Sequence, residues 1–274
     1  MACFFVFSIH AAQVKGDYMT VIKQFWRFGM MQAQAALFGG ILLIAMLAVE
    51  FIPAITGGLH RYDFLFLIAV LTQVILLLCR LESWREVKII LVFHLVATGM
   101  EIFKTAPAIG SWAYPGVEDA VFTLFQVPLF AGFMYSAVGS YIVRAWRLMD
   151  LQFTPFPKPV LTLALSALIY VNFFTHHFIW DMRYLLLLLS VWMFIPTMID
   201  FNVFGKWYRM PFICAGGLTA FFIWVAENIG TYGTVWVYPA QSGGWQWVSF
   251  SKLISWYMLL LLSFGLVSLL HHKK

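Results

Sequence analysis

The chain is expected to fold as an all-α, polytopic membrane protein of about eight transmembrane helices, arranged as two parallel four-helix repeats. Three observations carry that expectation. Hydrophobic residues fill 62% of 274 positions and charged residues only 11%, whereas soluble domains carry about 25% charged residues; the mean hydropathy is +0.86. Apolar runs close to the ~20 residues that cross hydrocarbon recur along the whole length. Finally, a glutamate followed by Trp-x-Tyr-Pro occurs twice, at Glu101 to Pro115 and at Glu227 to Pro239. Little length is left for a soluble domain.

Residues 1–29 are expected to form a cytoplasmic or interfacial segment, and residues 30–274 one transmembrane domain with repeats at 30–150 and 151–274. Cys3 to Ala12 is apolar but short and follows no basic residue, so a cleaved signal peptide is not expected. A peripheral segment, or a start placed too early with Met19 available, fits better. The first span, 31–51, contains Gly39-Gly40. The second, 62–80, opens on Arg61-Tyr62-Asp63. The third, 87–104, carries His94, Thr98 and Glu101, and the fourth, 121–143, contains Pro128. The fifth, 159–179, ends in Asn172, Thr175, His176 and His177, with Asp181 just beyond. The sixth, 184–203, opens on Arg183-Tyr184 and contains Pro196. The seventh, 211–228, contains Gly216-Gly217 and closes on Glu227-Asn228, and the eighth is 250–270.

Charge sets the orientation. With the N-terminus in the cytoplasm, the inner segments hold thirteen basic residues: Lys15, Lys23, Arg27, Arg80, Arg85, Lys88, Arg144, Arg147, Lys158, Lys206, Arg209, Lys273 and Lys274. The outer segments hold Arg61, Lys104, Arg183 and Lys252. That is a strong positive-inside bias, and an even number of spans returns the C-terminus to the cytoplasm. The net charge of +5 therefore reflects topology rather than nucleic-acid binding. Cys3, Cys79 and Cys214 fall on the reducing side without a CxxC pair, so neither a disulfide nor a zinc site is expected.

Landmarks recur at similar offsets. Arg61-Tyr62 and Arg183-Tyr184, Glu101 and Glu227, and Pro115 and Pro239 are separated by 122, 126 and 124 positions. Four spans per half bring both halves into the membrane in one orientation, related by a pseudo-twofold along its normal. The plainer explanation is that Trp and Tyr gather at interfaces in any case.

Ionisable groups inside spans are costly, so each is a functional candidate. His94, Thr98, Glu101 and Thr105 share one helix face, with Lys104 beside them. With Asn172, His176, Asp181, Arg183, Glu227 and Asn228 they lie toward the outer half, where they are expected to border one outward-facing polar cavity. Arg61, Asp63, Asp181 and Arg183 sit at span ends and equally suit structural ion pairs, and a neutral His94 bonded to a neighbouring helix is common. Glu101 and Glu227 are the strongest catalytic candidates, with His94, His176 and Asp181 after them. A buried glutamate can protonate an oxygen or an electron-rich double bond, and a second carboxylate can act as base. The aromatic faces of Trp112, Tyr114, Trp236 and Tyr238 could stabilise a developing cation. Lys104, Asn172, Arg183 and Asn228 complete the expected substrate-binding set. This chemistry suits a hydratase or cyclase acting on an isoprenoid or other lipid.

Two other classes are open to these residues. A metal site for zinc or iron could draw on His94, Glu101, His176, His177, Asp181 and Glu227, but adjacent histidines on a helix point about 100° apart. There is no HxxxH or HExxH, and no metal or other cofactor is expected. Nucleotide-loop and nucleophile-elbow motifs are absent. A proton-coupled carrier of a small solute is the rival reading: a parallel repeat around a polar cavity suits it, although the polar residues gather toward one face rather than the midplane.

The segments FHLVATGMEIFKT, GSWAYP, VPLFAGFMYSAVGSYIVRAWR, IYVNFFTHHF and FIWVAENIGTY resemble the family of bacterial integral membrane proteins catalogued as domain of unknown function 817 (YoaT-like), over residues 20 to 270. The resemblance implies a multi-pass bacterial membrane protein and brings no activity with it. One departure is Ala106-Pro107-Ala108-Ile109 between Lys104-Thr105 and the GSWAYP loop. More loosely, Glu-x-x-Gly followed by an aromatic-x-Tyr-Pro loop is similar to the carotenoid hydratases and small-subunit lycopene cyclases. That similarity implies carboxylates at Glu101 and Glu227.

Overall fold

The computed structural model describes residues 18–271. The expectation for Cys3 to Ala12 and the inner basic residues Lys15, Lys273 and Lys274 lie outside the described residues. Among those described, nine α-helices dominate: α1 (Tyr18–Ala35), α2 (Leu37–Phe51), α3 (Arg61–Leu78), α4 (Trp84–Thr105), α5 (Phe130–Leu148), α6 (Pro159–Thr175), α7 (Arg183–Phe194), α8 (Phe212–Tyr232) and α9 (Ser251–His271). Five short strands accompany them: β1 (Thr123–Leu124), β2 (Val127–Pro128), β3 (Gln152–Thr154), β4 (Met198–Val203) and β5 (Lys206–Pro211).

The fold is therefore mostly helical but not all-α. The expected sixth span leaves the helix at Phe194, and Met198–Val203 becomes the middle strand of a three-stranded antiparallel sheet, β3-β4-β5. Pro196 cannot continue a hydrogen-bonded helix. Beyond it, Ile199, Phe201 and Val203 alternate into the core, a period of two that a strand satisfies and a helix does not. Phe204 and Gly205 turn the hairpin with φ of 50° and 85°, the left-handed pair of a type I′ turn. Asn202 accepts the Gly205 N–H at 2.7 Å, and Arg209 donates two bonds to the opposing Asp200 at 2.6 and 2.8 Å. The fourth apolar run likewise begins as the β1-β2 hairpin and turns helical only at Phe130. Phe125 and Gln126 take positive φ there, and the Asp63 carboxylate accepts the N–H groups of Val121 and Phe122. That accounts for a buried aspartate at the start of α3.

By length and composition, α3 and α8 are each apolar enough to cross a membrane, and α1 with α2 makes a third span if the bent pair is one. Helices α6, α7 and the Ser251–Gly265 part of α9 are apolar but shorter. Helix α4, 22 residues long, carries Arg85, Glu86, Lys88, Glu101 and Lys104, which lower its apolar character. A Ser83–Glu86 capping box starts it, each side chain taking a backbone N–H that the helix leaves open.

The chain forms two compact units. One holds Ala36–Tyr141 and Ile223–Leu253; the other holds described residues 18–35, 142–222 and 254–271. In the first, Phe38, Leu42, Ala69, Leu76 and Phe133 form the core between α2, α3 and α5. In the second, rings pack densely: Phe194 stacks on Phe212 at 4.5 Å, Phe264 lies 4.9 Å from Phe212, and Trp146 stacks on Phe264 at 5.8 Å. The candidate site lies wholly in the first unit.

Candidate functional site

Glu101 lies one turn from the C-terminal end of α4 and is 1% exposed. An enclosed carboxylate needs donors on both oxygens, and three aromatic side chains supply them. The Trp112 indole N–H donates to Oε2 at 2.8 Å, and the Tyr114 hydroxyl to the same oxygen at 2.7 Å. The Tyr135 hydroxyl, from α5, donates to Oε1 at 2.7 Å.

The inserted residues after α4 make this geometry. Pro107 stops the helix, the Ile109 and Gly110 N–H groups bond back to Ala106, and the Ser111 N–H bonds to the Lys104 carbonyl at 2.9 Å. Gly110 takes φ of 56°, a conformation that suits glycine. The reversed chain carries Trp112 and Tyr114 back over Glu101.

The second motif repeats the theme with different detail. Tyr238 donates its hydroxyl to Glu227, which is also buried. Trp236 packs its six-membered ring against α8 at Gly230, where an added Cβ would overlap it, so glycine is required at that level. Burial first, then the charge of the neighbouring glutamate, pushes the Tyr114 and Tyr238 phenols well up. Both stay neutral donors across the physiological range. Tyr238 feels the charge of Glu101 as well as of Glu227, and Tyr135 stands within electrostatic reach of Tyr238 and Glu227.

The two motif loops meet. Ala113 and Val237, the middle residues of Trp-x-Tyr-Pro, exchange both backbone hydrogen bonds at 3.0 and 2.9 Å. Such an antiparallel exchange has a local twofold axis between the paired residues. The rings of Trp112 and Tyr238 touch edge to face at 6.1 Å. Tyr62 places its hydroxyl within 3.1 Å of the Pro115 carbonyl and 2.9 Å of the Val235 carbonyl, tying both loops to α3. Paired residues of a hydrogen-bonded antiparallel bridge lie about 5.5 Å apart at Cα, within disulfide range. With Cys3, Cys79 and Cys214 replaced, an Ala113→Cys, Val237→Cys chain should cross-link on mild oxidation, while an Ala113→Cys, Trp245→Cys chain should not. Mobility on a non-reducing gel reads this out.

Two residues that sequence reasoning passed over complete the site. Tyr135 lay inside a quoted motif but had no partner in sequence to mark it. Lys252 was counted only for topology. Its ammonium stands 4.2 Å from the centroid of Tyr238 and 5.3 Å from that of Trp112. A cation in the first turn of α9 is unfavourable for the helix dipole, and the aromatic faces and carboxylates offset that. The faces expected to stabilise a developing cation thus already hold one.

The other expected site residues divide. Lys104 is buried beside Glu101 on α4. Asn228 bridges backbone, donating to the Trp224 carbonyl at 2.8 Å and accepting the Val248 N–H at 2.9 Å, which is a loop-fixing role. His94 packs on Phe133 at 4.3 Å with Nδ1 buried and unpartnered.

Asn172, His176, His177, Asp181 and Arg183 belong to the other unit. There Asp181 accepts from Asn172 at 3.2 Å and pairs with Arg183 at 3.0 Å. Burial alone would raise its carboxyl, but the Arg183 N–H, the Asn172 amide and the charges of Arg183 and His176 bring it below the usual range. The rings of His176 and His177 lie 4.1 Å apart. Among the described residues no three of His, Cys, Asp and Glu gather closely enough to hold a metal ion. The two Arg-Tyr landmarks also differ: Tyr62 is 0% exposed and Tyr184 is 59% exposed.

The family model described as "Protein of unknown function (DUF817)" matches residues 24–264. The chain is 40% identical over 256 residues to "Uncharacterized protein YoaT" of Bacillus subtilis (strain 168), covering 93% of this chain and 95% of that protein. No solved structure matches. Glu101, Glu227 and both Trp-x-Tyr-Pro loops fall inside the matched stretch, and the chain belongs to the DUF817 family.

Proposed function

We propose that this is a multi-pass protein of the bacterial inner membrane, with both termini cytoplasmic, whose Glu101 and Glu227 form one proton-handling site facing outward. The site would carry out acid–base chemistry on an isoprenoid or other lipid. One observation carries the proposal: the Ala113–Val237 bridge brings both motif copies together, so each carboxylate is held by a phenol from its own loop within one compact unit. The eight-span, twofold arrangement belongs to the same proposal, and its support is that Ala113 and Val237 hold equivalent positions in the two motifs. The bilayer draws support from helices whose free faces carry Leu71, Leu78, Leu95, Leu188 and Trp192, apolar side chains that lipid solvates at no cost.

Protonation of a double bond, followed by hydration or cyclisation, leaves one solvent hydrogen on carbon. The purified chain in liposomes of host lipid extract, incubated in D2O, should therefore add one deuterium to a lipid detectable by mass spectrometry. Glu101→Gln and Glu227→Gln should each lower the rate by about 10²–10⁴-fold, the usual contribution of general acid–base catalysis. Full incorporation in both variants would remove the proposal.

A proton-coupled carrier of a small solute is the second reading. What favours it is enclosure: both carboxylates are buried, and a lysine ammonium covers the aromatic faces. Proton-dependent solute uptake in the same liposomes, with no lipid labelling, would select it.

A further inference from the structure

Glu101 is one end of a longer polar seam. On α4, Glu86, Ile90, His94, Thr98 and Glu101 fall on one face, at i, i+4, i+8, i+12 and i+15, and α5 answers that face level by level. At the N-terminal end, Glu82 in the turn before α4 is buried. It accepts bonds at 2.6 Å from the Ser140 hydroxyl and at 2.6 Å from the Gln73 amide. One turn along α5, the Ser136 hydroxyl lies 3.1 Å from the Ile90 carbonyl. At the next level stands Gly132, where a Cβ would come within 2.5 Å of both His94 Nδ1 and Thr98 Oγ1. Glycine is what lets the imidazole lie against the α5 backbone. The seam then reaches Tyr135 and Glu101.

Polar groups at a helix contact inside an apolar protein are costly and mark ion or proton pathways. Two buried polar atoms on the seam have no hydrogen-bond partner, His94 Nδ1 and Gln73 Oε1. At about 1.5 Å per residue, Glu86 to Glu101 covers roughly 22 Å, most of a hydrocarbon core.

We propose that the α4–α5 seam is a proton path joining Glu101 to Glu82 through His94. It rests on the reading of Glu101 as a proton-handling group. A proton on the Glu101 carboxyl passes through bridging water to His94, which becomes imidazolium, and from there through water along the seam past Ser136 to Ser140, whose hydroxyl bonds Glu82. Each hop breaks one O–H or N–H bond and forms another, and nothing is oxidised or reduced. Glu101 faces Trp112, Tyr114 and Tyr135, with the Lys252 ammonium nearby. His94 faces Phe133, Thr98 and Gly132. Glu82 faces Gln73 and Ser140, while Glu86 is engaged in the Ser83 cap and Arg80 and Lys88 are exposed at that end.

The test uses the full chain in phospholipid liposomes loaded with pyranine, with a potassium diffusion potential set by valinomycin. Wild type should admit protons faster than empty liposomes. Glu82→Gln and His94→Phe should each cut that excess flux by about tenfold or more, since a positioned proton-transfer group contributes about 10²–10⁴-fold in rate. Thr162→Val, which removes a buried unpartnered hydroxyl on α6, should conduct as wild type. Should one variant fail to elute as a folded protein, the other carries the comparison. Wild-type liposomes no faster than empty ones would overturn the path. So would wild-type flux in folded Glu82→Gln and His94→Phe; if Glu101→Gln lost flux in that experiment, the proton-handling site would still stand. Wild-type flux in Glu101→Gln would sink that underlying reading too.

Discussion

Glu101→Ala should be the most damaging single change at the site. It leaves the Trp112 indole and the Tyr114 and Tyr135 hydroxyls without an acceptor, all within an enclosed pocket. An unsatisfied buried donor costs about 1–3 kcal/mol, so three together should cost on the order of 5 kcal/mol, comparable to the whole stability of many domains. Glu101→Gln keeps the volume and one acceptor, and should lose only about 2 kcal/mol. Tyr135→Phe should fall below both, since it removes one donor and leaves the carboxylate two. Thermal unfolding followed by fluorescence-detected gel filtration in detergent measures the order Ala, then Gln, then Phe. An alanine variant as stable as wild type would mean that the three donors find other acceptors and that Glu101 does not organise the loop.

Lys252→Glu should be the next most damaging. The ammonium lies over the faces of Trp112 and Tyr238, close to Glu101. A carboxylate in its place would meet the negative faces of both rings and a third carboxylate would join the site. Lys252→Met, which keeps the apolar stem, should cost about 2 kcal/mol through the lost cation–π contact. Reversing the charge should cost several kcal/mol more, because like charges at short range in low dielectric repel strongly. The comparison separates charge from packing: equal losses in the two variants would show that Lys252 matters only for its stem.

How much of this could be read in the sequence depends on whether the signal was local. The pairing of Glu101 with Trp112 and Tyr114, and of Glu227 with Tyr238, is local, because a turn after a helix returns a loop onto that helix. The repeated string therefore picks out residues that the structure brings into contact. Tyr135 was hidden because its hydroxyl arrives from α5, 34 positions away, and no spacing rule joins it to Glu101. Lys252 reads in sequence only as one of four outer basic residues, because its aromatic partners Tyr238 and Trp112 come from loops that no local spacing rule joins to it. The β4-β5 hairpin was missed for a different reason. Ile199, Phe201 and Val203 continue the apolar tally of the preceding helix, and a hydropathy window cannot distinguish period two from continuous burial. Pro196 and the Phe204-Gly205 turn were the available cues. His176 and Asp181 stood out as polar residues near a span end, but their hydrogen bonds are to Asn172 and Arg183 in their own turn.

The central claim is that the two carboxylates belong to one proton-handling site. Infrared difference spectra of the full chain, recorded across a pH series, follow the carboxyl band of Glu101, assigned by its loss in Glu101→Gln. Groups that share a site titrate as a coupled pair. Replacing Glu227 with glutamine should therefore move the Glu101 midpoint by about one pH unit or more, the size of shift a neighbouring charge produces. An unmoved Glu101 midpoint in Glu227→Gln would show two independent carboxylates and contradict the claim.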